Sequence, residues 1–266
     1  MRHGAGRTGF RAGHDVRAAD WCGAGTPPLL AVAHGTRDPS GTATTEALLD
    51  RVRELRPGLR VVLAYVDVAR PSLTDVLAEL SGEVVLVPLL LGTGFHIRVD
   101  IPEVLAAAPQ VEARVARALG PDPLLASALA DRLAEAREPS SGPVVLASAG
   151  STDPVSQRAA VAMADLLAEQ LGRPAVASYL CAGSPTPADA LAALRAQGHR
   201  DVTVASYLMT PGFFARRAAE AADTAGSVVS APLGAHGAVA RLIVDRYEEA
   251  AARPGTPVGR ASAAAG

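Results

Sequence analysis

The sequence predicts an α/β protein built from two tandem αβ domains, each a parallel four-stranded sheet flanked by helices, with a cleft between them. Three observations predict this. Short runs that are apolar at nearly every position alternate with longer segments of helical character, the pattern of a parallel sheet covered on both faces. Four blocks of sequence occur twice, in one order and at similar spacing. The apolar runs end at polar or Gly-rich turns, and parallel sheets bind ligands beyond the carboxyl ends of their strands.

The first half reads as follows. Leu29–Ala33 is apolar and stops at His34-Gly35, so it is a buried strand emptying into the turn-prone Thr36–Gly41. A helix is expected over about Thr42–Leu55 and a strand over Arg60–Val66. Pro71 marks where that strand gives way to a helix at Leu73–Leu80. A third strand, Glu83–Leu90, runs into Gly92-Thr93-Gly94, with His96 just before a helix at Val99–Ala107. A short strand at Val111–Ala113 and a helix at Pro123–Arg137 close the half.

The second half repeats this plan. "PLLAVAHGTRDPSG" from Pro28 returns as "PVVLASAGSTDPVS" from Pro143, and "AYVDVARPSLTDVLAEL" from Ala64 as "SYLCAGSPTPADALAAL" from Ser178. The block from Glu83 returns from Asp201, and the block from Ala118 from Pro232. Four blocks in register imply tandem duplication. The expected organisation is an extension at 1–26, a first domain at 27–138, a linker over 138–143, a second domain at 143–252 and a tail at 253–266, with extension and tail disordered.

Bulk composition narrows the function. Hydrophobic residues are 49% and charged residues 20%, a globular balance. Aromatics are only 3%, so the core is built from Ala, Val and Leu. The net charge of −2 gives no reason to expect nucleic acid or an anionic membrane as partner. No apolar run approaches the roughly 20 residues that span a bilayer, and the start lacks the apolar middle of a signal peptide. A cytoplasmic protein is the expectation. Cys22 and Cys181 are too far apart and too unlike in context to suggest a disulfide framework or a zinc site. Phosphate fingerprints of the GxGxxG and GK[ST] kinds are missing.

Chemistry concentrates at three strand ends of the first half. His34 and His96 each lie past an apolar strand and within two residues of Gly, which permits positive φ and close approach of a ligand to backbone. Adjacent strands about 4.8 Å apart would bring the two imidazoles together as a first-row metal site. Asp67 ends the strand between them in sequence; it reads either as a carboxylate facing the same cleft or as a cap for the next helix. In the repeat these three become Ala149, Phe214 and Cys181, so a single active site is expected, in the first half. His236 falls opposite Asp122 and reads as a helix-start or surface residue, while His3, His14 and His199 have no supporting context.

Together "AHGTRDP", "VDVARPSL" and "VPLLLGTGFHIRVDIP" resemble the class II, ATP-independent tetrapyrrole chelatases, most of all the sirohydrochlorin chelatases of sirohaem and cobalamin synthesis. The resemblance covers about residues 28 to 250. It implies two chelatase-like αβ domains with the tetrapyrrole between them and metal handled by His34 and His96. The family's catalytic Glu falls on Asp67, a carboxylate one methylene shorter. It also implies Fe²⁺ or Co²⁺ as substrate metal with no tightly bound cofactor. For a poly-carboxylate substrate, Arg37 and Arg98 beside the histidines are candidate contacts, with Arg216 and Arg217 on the facing half. Gly92, Thr93 and Gly94 would let a flat macrocycle lie against backbone. The competing readings are a non-catalytic metal or tetrapyrrole carrier using the same pocket, and a sugar- or nucleotide-binding domain pair. One chain is sufficient for the cleft, and a dimer is compatible with it.

Overall fold

The computed structural model describes residues 26–136 and 141–253; the expected extension before Thr26, the tail beyond Arg253 and most of the linker lie outside them. In chain order the elements are β1 (Leu29–Ala33), α1 (Pro39–Leu55), β2 (Val61–Tyr65), α2 (Leu73–Glu79), β3 (Gly82–Pro88), a π-helical turn (His96–Asp100) running into α3 (Ile101–Ala106), β4 (Val111–Val115) and α4 (Pro123–Ala136). The second half follows with β5 (Val144–Ser148), α5 (Pro154–Leu171), β6 (Ala175–Tyr179), α6 (Pro187–Ala196), β7 (Thr203–Tyr207), α7 (Phe213–Thr224), β8 (Val228–Val229) and α8 (Gly237–Ala251).

Two four-stranded parallel sheets form, ordered β2-β1-β3-β4 and β6-β5-β7-β8. In the first, Leu29 stands opposite Val61 on one side and Val85 on the other. Every residue of β1 and of β5 is buried, which is why these runs show no polar alternation. The side chains still alternate between cores. Leu29, Ala31 and Ala33 join a central core shared by both halves, while Leu30 and Val32 face α2 and α3. The second sheet has the matching outer core under α6 and α7.

Local chemistry sets the helix starts. Asp38 caps α1 by accepting from the Ser40 amide at 3.1 Å, with Pro39 at the first helical position. The helix therefore begins three residues before the expected Thr42. Asp153 and Pro154 repeat the device on α5. Ser72 with Asp75, and Thr186 with Asp189, form capping boxes on α2 and α6.

The last helix of each half is exchanged. α4 packs on β7, β8 and α5 of the second half, and α8 packs on β3, β4 and α1 of the first. The central core thus runs from one sheet to the other through α1, α8, α4 and α5. Polar bonds lock the exchange. Arg246, almost wholly buried on α8, donates to the Ala118 and Leu119 carbonyls and to the Asp122 carboxylate at 2.7 Å. Arg132 on α4 donates to the Leu233 carbonyl, and the Tyr247 hydroxyl to the Pro27 carbonyl. Among the described residues no helix is long and apolar enough to cross a membrane.

Candidate active site

A cleft of about 1100 Å³ opens where the carboxyl ends of β1, β3, β5 and β7 meet. One wall carries His34, Leu89–Leu91 and His96; the other carries Ala149, Tyr207–Met209 and Phe214. Gly35 and Gly150 turn the chain at the ends of β1 and β5 with φ of +101° and +97°. A Cβ on Gly35 would strike the Asp67 carbonyl, and one on Gly150 the Ala182 carbonyl. Both places therefore need glycine for space as well as for conformation.

The two histidines converge as their strand positions require. Their ring centroids are 4.6 Å apart, edge to face. His96 does not precede a helix, as expected from its sequence, but lies in its first turn: the chain is helical from Phe95, four residues before Val99. That first turn is π-helical, with the Ile101 amide bonded to the His96 carbonyl. It brings Asp100, which sequence reading missed, to 2.5 Å from His96 Nδ1.

Asp67 stands differently from expectation. Its side chain is exposed and accepts from the Val68 amide at 2.8 Å. Val68, with φ of +26°, takes the place on the cleft wall instead. Nor does Asp67 cap α2, since Ser72 does. Its amide bonds to the His34 carbonyl at 3.0 Å, so its place in the fold is to tie the β2 loop to the β1 loop. His236 is a helix-start residue: Nδ1 accepts from the Ala238 amide, Nε2 lies 3.2 Å from Asp131, and it is not on the cleft wall.

The arginines divide. Arg37 lines the cleft and is exposed. Arg98 and Arg216 occupy equivalent positions in the two halves and make equivalent bonds across them. Arg98 reaches Asp153 at 2.5 Å and Arg216 reaches Asp38 at 2.8 Å. Each thus meets the cap of the first helix of the opposite half. Arg216 borders the cleft; Arg98 and Arg217 do not, and Arg217 lies 5.8 Å over the Phe213 ring. Gly92 and Gly94 line the cleft as expected, whereas Thr93 is not on its wall and its carbonyl accepts from the Ser156 hydroxyl.

A second repeat-related pair went unnoticed in the sequence. Phe95 and Phe213 are 63% and 61% exposed, and both line the cleft. In a chain with four phenylalanines, two matched exposed rings on facing walls are a signal that the block alignment contained. Deeper in, the Tyr207 hydroxyl donates to the Leu91 carbonyl at 3.0 Å. Burial, and then the charge of Asp122, push its pKa far up, so it stays a neutral donor.

A model of the CbiX family matches residues 28–136 and again 143–250. The sirohydrochlorin ferrochelatase of Priestia megaterium is 26% identical over 231 residues, covering 81% of this chain and 87% of its own. The sirohydrochlorin cobaltochelatase of Methanosarcina acetivorans is 25% identical and covers 95% of its own length but only 41% of this chain. The structure of SirB from Bacillus subtilis with Fe³⁺ superposes with a TM-score of 0.75 at 23% identity, over 85% of this chain and 96% of that one. Matched by the family model over both halves, this chain belongs to the CbiX family.

Proposed function

We propose that the protein is a sirohydrochlorin chelatase, a lyase that inserts Fe²⁺ or Co²⁺ into the free tetrapyrrole without ATP. The observation that carries this is the His34–His96 pair, 4.6 Å apart at the mouth of a cleft between two αβ halves. Relatives of the same family bear the names of iron and cobalt chelatases. Both metals suit a sparse imidazole site, and a metal that must be handed on suits it better than a closed Cys₄ site.

The chemistry balances simply. A divalent cation enters the macrocycle and two pyrrole N–H protons leave. His34 and His96 hold the cation on one face of the ring, and as it passes to the ring nitrogens each freed imidazole lone pair takes one of the two pyrrole protons and later releases it to water. The opposite wall, with Ala149 and Phe214 in place of the histidines, backs the other face. Phe95 and Phe213 grip the ring from the two halves, and Gly92 and Gly94 let it approach backbone. Arg37, Arg98 and Arg216 serve the carboxylates at the rim. Arg98 and Arg216, the more exposed partners of their pairs, trade their aspartates for substrate. Asp67, exposed next to the cleft-lining Val68, assists only in passing protons to water. One chain supplies both walls.

The test is anaerobic mixing of the purified protein with sirohydrochlorin and Fe²⁺ or Co²⁺, followed by visible absorption. Insertion above the uncatalysed rate, lowered about 100-fold or more in His34→Ala and His96→Ala, is the expected result. Tight tetrapyrrole binding with no acceleration would replace the enzyme by a carrier.

A further inference from the structure

We infer that Asp100 is a positioning residue that fixes the ring orientation and tautomer of His96. The inference rests on the chelatase reading for its purpose but not for its geometry. Asp100 Oδ2 lies 2.5 Å from His96 Nδ1, four residues along the same helical turn. A carboxylate only accepts, so Nδ1 donates and the lone pair is left on Nε2. His96 lines the cleft and Asp100 does not. The Nδ1 edge is therefore turned toward the helix, and Nε2 is the nitrogen offered to metal or to a pyrrole proton. A carboxylate behind an imidazole also strengthens it as a ligand and offsets the charge of the incoming cation.

The repeat supports the pairing independently. Phe95, Arg98 and Gly94 have the same residues at Phe213, Arg216 and Gly212. The other four positions change: Ile97 and Val99 become Ala215 and Arg217, His96 becomes Phe214, and Asp100 becomes Ala218 in the core. The half without the imidazole is also without the carboxylate. Asp67 is lost in the repeat as well, as Cys181, but its carboxylate accepts from the Val68 amide and not from a histidine.

The test uses the full chain with ¹⁵N-labelled histidine, the His96 signals being those missing from His96→Ala. Two-bond ¹⁵N–¹H correlation then reads which nitrogen carries the proton. The wild type and Asp100→Glu are expected to show it on Nδ1. In Asp100→Asn the amide donates to the ring and moves the proton to Nε2, as an Asn behind an imidazole does elsewhere. Titration with Co²⁺ alone is expected to weaken about 10- to 100-fold in Asp100→Asn. In the insertion assay kcat falls while the tetrapyrrole KM holds. An unchanged tautomer in Asp100→Asn together with Co²⁺ affinity within twofold of wild type overturns the inference. The tautomer and metal readings need no turnover, so they fail separately from the chelatase reading.

Discussion

Removing Phe95 and Phe213 measures directly whether a flat ligand lies between the halves. Phe95 is 63% exposed and Phe213 61%, on a side chain that presents roughly 200 Å². Each ring therefore offers about 120 Å² to the cleft, and a macrocycle on one face covers about half of that, ~60 Å². At about 25 cal/mol per Å² this contributes ~1.5 kcal/mol per ring, close to tenfold in affinity. The rings sit on different halves and contact different parts of the ligand, so Phe95→Ala with Phe213→Ala should weaken tetrapyrrole binding about 100-fold. The contact exists before and during metal entry, so KM rises and kcat stays within about twofold. The assay is the sirohydrochlorin dependence of insertion, with equilibrium binding by fluorescence quenching beside it. A double variant with KM within twofold of wild type, or one that lost kcat alone, would take the macrocycle off these rings.

Other consequences are as open to measurement. Arg246→Met strips the Asp122 carboxylate of its guanidinium and leaves two carbonyls without their donor inside the exchanged-helix interface, which should cost about 3–5 kcal/mol and lower Tm on the order of 10 °C by calorimetry. Asp67→Asn should change insertion by less than about threefold, since its carboxylate is directed to the Val68 amide, and a loss like that of His96→Ala would return it to the centre of catalysis. Asp38, Asp75 and Asp189 are held below the usual carboxylate range chiefly by hydrogen bonds from Ser40, Ser72 and Thr186, and Glu249 chiefly by its bond with Arg117. Groups with a lowered folded pKa leave the folded state with fewer protons than the unfolded one. Their stabilisation is complete at neutral pH and lost as pH falls below about 4. Melting followed from pH 7 to 3 should show this fall, and Asp189→Asn should flatten it.

Much of this was legible in the sequence because it depends on local rules. Strands buried on both faces announce themselves as unbroken apolar runs, and Asp-Pro marks two helix starts once the repeat is recognised. The meeting of His34 and His96 followed from two neighbouring strands of a parallel sheet. What could not be read depends on partners distant in the chain or on one residue of helix phase. Nothing near Arg98 indicates Asp153, and nothing in α8 says that it covers the other half's sheet. Asp100 was missed because the helix was read as starting at Val99, which left His96 outside it. With the start moved to His96, the spacing of four would have marked the pair. The Asp67 bond could not be read either, because a strand-end carboxylate gives no sign in sequence that it will accept from the very next amide.

The exchange of α4 and α8 bears on how such a chain came to exist. Neither half covers its inner sheet face with its own last helix, so a lone half would need a second copy of itself to close the core. Such a pairing is isologous and carries two equivalent sites. Once both copies lie in one chain, the sites are free to diverge while the helices cannot, because each helix is the other half's structural wall. Ala149, Cys181 and Phe214 record that freedom; Arg246 and Tyr247 record the obligation. The second half, which lacks the two histidines, still closes the first half's core through α8, and a chain severed between Ala136 and Ser141 would hold together through the same two helices.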